Sequence, residues 1–189
     1  MNIVLFGGSF NPIHNGHLAL ARYMSQQNNV DEVWLLLSPQ NPLKHLQMVS
    51  NEHRIEMIRI AIRNVPKLKL CDIELSLPKP NYTYETLRVL KKKYPEYSFS
   101  LLIGEDNLAI FQQWKNYEEI LENHQIFVYP RKNEKEHSSL LQHNNIRSIK
   151  APIFPISSTE IREKIASNKN IASALPTGVY EFILQHKIY

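Results

Sequence analysis

At 189 residues, 43% of them apolar and 21% charged, the chain has the size and composition of one globular domain with a sizeable core. Its net charge of +4, from 22 basic and 18 acidic residues, suits an anionic small substrate and is too slight to argue for nucleic acid. The lone Cys71 excludes an internal disulfide and a multi-cysteine zinc site. No apolar window approaches about 18 residues and no signal-type segment stands out. The expectation is a cytoplasmic protein with neither a membrane nor a nucleic-acid partner.

In chain order, apolar runs alternate with amphipathic stretches. A first strand is predicted over Asn2–Phe6, stopped by Gly7-Gly8, and a first helix over Asn15–Gln27 with Asn15 as its cap and Leu18, Ala21 and Met24 on one face. Val33–Leu37 is nearly all apolar, as a strand covered on both faces should be. Two prolines rule out regular structure over Ser38–His45. A helix is expected from Ser50 with Ile55, Ile58 and Ile62 inward, then a strand over Leu68–Cys71. A helix runs from Tyr82 or Thr83 to Lys93, where Lys91-Lys92-Lys93 reads as a solvated helix end.

Phe99–Ile103 is a fourth strand, ending at Gly104 as the first ended at Gly7. Short helices are expected over Asn107–Gln113 and Tyr117–Glu122, and a strand over Gln125–Tyr129. The polar stretch Lys132–Asn145 reads as a surface insertion, and Ile146–Ile156 as extended. Ser157 or Ser158 then caps a helix, with an acid near the capping-box position, and Pro176 opens a closing helix through Val179, Ile183 and Leu184.

That order predicts an α/β fold: one Rossmann-like, doubly wound domain over 1–189, with a mostly parallel central sheet and a helical C-terminal part over 157–189. Ligands of such sheets bind beyond the carboxyl ends of the strands. Four polar loops follow predicted strands there, beginning at Gly7, Ser38, Gly104 and Pro155.

Gly7-Gly8 lets backbone approach an anion, and the helix that follows offers free N–H groups at its positive end. The pattern is neither the three-glycine dinucleotide fingerprint nor a Walker loop. It carries His14 and His17 instead, three apart near a helix start, where both rings can face one polyphosphate and a cationic ring would meet charge on a departing pyrophosphate. A single histidine there could equally be a surface residue or a cap. No third metal ligand is visible beside the pair.

The string Gly7-Gly8-Ser9-Phe10-Asn11-Pro12-Ile13-His14-Asn15-Gly16-His17 resembles the first motif of the nucleotidyltransferase superfamily related to class I aminoacyl-tRNA synthetases. Ile156-Ser157-Ser158-Thr159-Glu160-Ile161-Arg162 resembles its second. Within it the chain is most similar to the bacterial nicotinate-nucleotide adenylyltransferases, essentially end to end, including Pro42-Leu43-Lys44, Asn81–Thr86, Ile103–Asp106 and Trp114.

The resemblance implies adenylyl transfer from ATP to nicotinate mononucleotide, giving deamido-NAD and pyrophosphate, with Mg2+ carried on the ATP phosphates and no covalent enzyme intermediate. It implies an ATP site of Gly7, Gly8, Ser9, Phe10, His14, His17, Gly104, Asp106, Ile156, Ser157, Ser158 and Arg162. The acceptor site would use Ser9, Lys44, Thr83, Tyr84 and Trp114, and His14, His17, Lys44 and Arg162 would act in catalysis.

Plainer roles stand beside these: Lys44 as a surface lysine, Asp106 as a helix cap, Trp114 as a core residue. Arg131 is a candidate near the phosphates or a surface residue. Glu105 departs from the small or hydroxyl residue relatives often carry there. The competing acceptors are nicotinamide mononucleotide and phosphopantetheine; cytidylyl transfer and nucleotide binding without turnover are further alternatives. A homo-oligomer is left open.

Overall fold

The computed structural model describes residues 1–39, 49–130 and 139–189. Six strands alternate with helices there: β1 (Asn2–Gly8), α1 (Asn15–Ser25), β2 (Glu32–Leu37), α2 (Asn51–Ile62), β3 (Leu68–Cys71), α3 (Thr83–Lys93), β4 (Ser98–Gly104), α4 (Glu105–Ala109), α5 (Tyr117–Asn123), β5 (Ile126–Tyr129), β6 (Ile146–Ser148), α6 (Ser158–Ala166) and α7 (Val179–Gln185). The sheet order is β3-β2-β1-β4-β5-β6, with every neighbouring pair parallel.

The period-2 geometry of a strand splits each apolar run between two cores. From β1, Val4 and Phe6 join one core with Leu18, Ala21 and Met24 of α1, Met57 and Ile58 of α2, Ile161 of α6, and Val179 and Ile183 of α7. Ile3 and Leu5 enter the other, with Leu87 and Leu90 of α3, Leu108 of α4 and Ile120 of α5. Full burial of each such side chain contributes roughly 1.5–3 kcal/mol, so both helix layers are held by the same four residues of a central strand. Cys71 belongs to the second core, and burial pushes its thiol above its ordinary pKa. Among the described residues no helix is long and apolar enough to cross a membrane.

The chain order reverses between β1 and β4, and in sheets of this kind ligands bind at such a reversal, here beyond Gly7–Gly8 and Gly104. Ser38 is tied to the same end, its N–H donating to the Gly8 carbonyl at 3.0 Å.

Several expectations are corrected. The cap of α1 is His14, not Asn15. The inward face of α2 is Arg54, Met57, Ile58 and Ala61, while Ile55 and Ile62 are only half-buried at its margin. A 3-10 turn, Ile73–Ser76, follows β3. The closing helix starts at Val179, because Gly178 takes a left-handed φ of 85° as its cap, and Leu184 is 55% exposed. Of the polar stretch Lys132–Asn145, residues 132–138 lie outside the described residues; the rest forms a 3-10 turn, Ser139–Gln142, before the Asn145 amide donates to the Leu121 carbonyl at 2.9 Å.

Candidate active site

At the end of β1 the chain must turn and start α1 within a few residues, and aromatic packing shapes that turn. Phe10, at φ 44° and fully buried, lays its ring over Gly8: a Cβ there would meet the ring at 3.0 Å. The same ring meets Phe6 edge-on at 5.9 Å and His17 at 5.1 Å. A side chain at position 8 would have to push the Phe10 ring aside by a few tenths of an ångström, so the packing favours glycine there.

The two histidines close a reciprocal cap. His14 Nδ1 accepts from the His17 N–H, and His17 Nδ1 accepts from the His14 N–H, each at 3.3 Å, with the rings stacked at 3.6 Å. This is the capping-box arrangement built from imidazoles, worth about 1 kcal/mol per cap. Acceptance requires a lone pair on Nδ1, which puts each ring's proton on Nε2. In that tautomer each ring keeps an Nε2–H to offer as a donor. The cap reading and the site reading of these histidines are one arrangement.

The carbonyls of the loop are held by side chains from far along the chain. Arg54 donates to Ser9 O at 2.8 Å, Arg162 to Asn11 O at 2.8 Å, and Ser158 Oγ to Pro12 O at 3.0 Å. Carbonyl oxygens repel phosphate, so bonding them to cations and a hydroxyl removes much of that repulsion. The same bonds dock the start of α6 against the start of α1. Ser157 caps α6 through the Glu160 N–H at 3.2 Å, and Glu160 returns a bond to the Ser157 N–H at 3.1 Å. Ile156, half-buried, leads into it. Arg162 Nη2 also donates to Thr159 at 3.1 Å. Thus the two motifs, about 150 residues apart in sequence, meet at two positive helix ends.

Four residues escaped the sequence reading. Arg54, fully buried, also donates to Ser38 O at 2.8 Å, Pro39 O at 2.9 Å and the Asn51 side-chain oxygen. Its place on the apolar stripe of α2, three and four residues before Met57 and Ile58, is the signal that could have found it. Glu74, 6% exposed, accepts from Thr86 Oγ1 at 2.9 Å and from the Ser38 side chain. Burial pushes its carboxyl above the usual range, against the opposing pull of those two hydroxyls. Tyr189 donates to Asn11 Oδ1 at 2.7 Å, and burial raises its phenol well above the ordinary value against Arg162 and Arg54. Lys115, beside Trp114, lies 4.3 Å from the Tyr82 ring and 5.7 Å from that of Tyr84.

On the expected acceptor side, α3 begins at Thr83 with no side-chain cap. Tyr84 is buried in the second core, and Trp114 packs half-buried against that core, its ring 5.2 Å from Phe111. Gly104 ends β4 and Asp106 sits half-buried in the first turn of α4, whose cap is Gly104 and not Asp106. Lys44 and Arg131 lie outside the described residues. Among the described residues no group of three His, Cys, Asp or Glu comes together to hold a metal. A crevice of about 540 Å³ along β3, walled by Trp34, Tyr94 and Tyr97, contains none of the predicted site residues.

The family model described as cytidylyltransferase-like matches residues 5–164. A protein of Flavobacterium psychrophilum described as a "probable nicotinate-nucleotide adenylyltransferase" is 47% identical over 191 residues, covering 100% of this chain and 99% of that one. One of Cytophaga hutchinsonii with the same description is 47% identical over 190 residues, covering 100% and 98%. The structure of the Plasmodium falciparum nicotinic acid mononucleotide adenylyltransferase complexed with NaAD shares the fold at a TM-score of 0.83 with 23% identity, covering 100% of this chain and 97% of that one.

Proposed function

The chain belongs to the nicotinate-nucleotide adenylyltransferases of the cytidylyltransferase-like family, and we propose that the crevice between β1 and β4 transfers the adenylyl group of ATP to nicotinate mononucleotide in NAD biosynthesis. A phosphate oxygen of the mononucleotide attacks the α-phosphorus, the bond to the β-phosphate breaks, and pyrophosphate leaves with the electron pair; the product is deamido-NAD. The observation that carries this reading is the docking of α6 on the β1–α1 loop through Arg162, Ser158 and their carbonyl partners. It supports a triphosphate held between two helix N-termini, with the imidazole Nε2–H groups of His14 and His17 turned to the charge that develops on the leaving group. Positioning and charge neutralisation are most of what this phosphoryl chemistry asks of a protein.

In this reading Gly7, Gly8, Ser9 and Phe10 supply backbone to the phosphates, and Ile156, Ser157, Ser158 and Arg162 close on the β and γ groups. Gly104 and Asp106 face the adenosine. Thr83, Tyr84 and Trp114 form the acceptor pocket. Ser9 and Lys44 complete its phosphate end by resemblance alone. Magnesium would arrive on ATP. The donors gathered at the phosphate corner are N–H groups, hydroxyls, imidazole and guanidinium, which suit phosphate oxygens, whereas magnesium takes oxygen ligands. The acid over the amide is favoured by two positive elements at one place, the uncapped start of α3 and the Lys115 ammonium beside Tyr82. A cytoplasmic setting fits an ATP-consuming enzyme whose single thiol is buried.

The test is pyrophosphate release from ATP and magnesium with nicotinate mononucleotide, nicotinamide mononucleotide and phosphopantetheine in parallel. The expected result is the highest kcat/KM with the first. Preference for either of the others overturns the acceptor, and no release with any overturns catalysis.

A further inference from the structure

Arg54 is buried to 0% exposure, and among the described residues its guanidinium has no carboxylate partner and its Nε no hydrogen bond. Burying an unpaired charge is costly, several kcal/mol after relaxation, and an apolar residue on the α2 stripe would serve the core better. What the guanidinium does instead is hold main chain. Its two terminal nitrogens take Ser9 O from the loop after β1, Ser38 O and Pro39 O from the loop after β2, and the Asn51 side chain at the start of its own helix. No other residue type spans four acceptors in one plane; a lysine ammonium has three protons on a single point.

The bond to Ser9 has a directional consequence. The Ser9–Phe10 peptide is trans, the cis bonds being Asn11–Pro12 and Lys79–Pro80. In a trans peptide the carbonyl and the next N–H point oppositely. Drawing Ser9 O inward to Arg54 therefore turns the Phe10 N–H away from the core. The loop otherwise could rotate this peptide and present the carbonyl to an incoming phosphate.

We infer that Arg54 is a positioning residue for ATP: it fixes the Ser9–Phe10 peptide with its N–H toward the triphosphate and clamps the β1 and β2 loops at one spacing. This rests on the proposed reaction. Arg54 does not touch the reacting atoms; it acts through Ser9.

The experiment compares wild-type enzyme with Arg54→Lys and Asn51→Ala, measuring kcat, the KM for each substrate, and the thermal midpoint. Wild-type turnover with nicotinate mononucleotide is the control, and its absence sinks the proposed reaction rather than this inference. With wild type active, Arg54→Lys should lower kcat/KM for ATP by about 10- to 100-fold, the scale of a misplaced reacting geometry. The acceptor KM should stay within about threefold. Asn51→Ala keeps the guanidinium and loosens its anchor, so it should show the same pattern at about 3- to 10-fold. A mere staple would lower the thermal midpoint while the folded enzyme kept wild-type constants for ATP; that result overturns the inference. If Arg54→Lys does not fold, Asn51→Ala decides: unchanged ATP kinetics overturn the positioning role, and a selective ATP defect upholds it.

Discussion

The two halves of the crevice are built differently. On the ATP side, main chain is pinned from every direction: His14 and His17 cap each other, Arg54 and Arg162 hold carbonyls of Ser9 and Asn11, and Phe10 fills the space over Gly8. On the proposed acceptor side the start of α3 has no side-chain cap, Trp114 is half-buried, and Lys115 is an exposed cation over tyrosine rings. The first half is tied down by its own hydrogen bonds, as the proposed reaction asks of dipoles that must meet transition-state charge without reorganising. The second is an aromatic and cationic surface that, in the proposed reaction, would recognise a flat anion by stacking and field. Chemistry and specificity are thereby separated in space, and substitutions should separate them too.

The largest effects belong to the histidines, and the capping geometry shows how to isolate them. Serine caps helices well and glutamine suits the third position of a capping box. His14→Ser and His17→Gln should therefore keep α1 intact, with thermal midpoints within a few degrees of wild type. Each should still lower kcat by about 100-fold, the usual cost of losing one donor to developing charge. The KM for the acceptor should change little. Normal turnover in either variant reduces that imidazole to a cap.

Trp114→Ala should act on the other half. Loss of a stacking face is worth about 1–3 kcal/mol, which predicts a KM for nicotinate mononucleotide raised by about tenfold or more with kcat and the ATP KM nearly unchanged. A fall in kcat without a rise in KM would place Trp114 in the core role instead. Lys115→Gln should do less: an exposed charge contributes at most about 1 kcal/mol. The ratio of kcat/KM for the acid over the amide should fall by about two- to fivefold, and more weakly at high salt, where screening already mutes the charge. A ratio that does not move assigns acid selection to the α3 backbone alone.

The centre of the sheet was legible because β1, β2, β4 and β5 are short apolar runs with glycine or proline at or just after their ends, and a strand covered on both faces needs nothing more specific. The helix caps were partly legible. Ser157 with Glu160 matches a familiar pair, whereas His14 does not, since imidazole is seldom the acceptor at a helix start and Asn15 is the residue that propensity favours. The two phosphate motifs could be read one at a time, but their contact could not, because the Arg162–Asn11 bond joins residues 151 apart. Arg54 was hidden by type: arginine reads as surface, and only its phase with Met57, Ile58 and Ala61 marks it as inward. Glu74 has no periodic signal at all, lying in a 3-10 turn after β3.

Glu74 supplies the smallest prediction and the one that tests how the two halves are joined. It takes Ser38 from the loop that Arg54 clamps and Thr86 from the helix that opens the proposed acceptor pocket. Burial raises its folded pKa above the ordinary 4.5. A carboxyl raised on folding holds its proton more firmly in the native state, so its contribution to stability is full below the ordinary value and is lost as pH rises through the folded one. Above that folded value the enzyme bears a buried charge, set among the described residues against the hydroxyls of Ser38 and Thr86. Glu74→Gln keeps the shape and one acceptor oxygen and deletes the charge. Its thermal midpoint at pH 8 should equal or exceed that of wild type, on a scale of roughly 2–4 °C per kcal/mol, and the advantage should vanish near pH 4. Because glutamine replaces one of the two carboxylate oxygens with an NH2 that cannot accept, the bonds to Ser38 and Thr86 must readjust, and the acceptor KM should rise by a few-fold while the ATP KM holds. A variant less stable than wild type at pH 8 would mean that the hydroxyls outweigh burial. An ATP KM that rises with the acceptor's would mean that Ser38 transmits between the halves, and the division between them would be weaker than the geometry suggests.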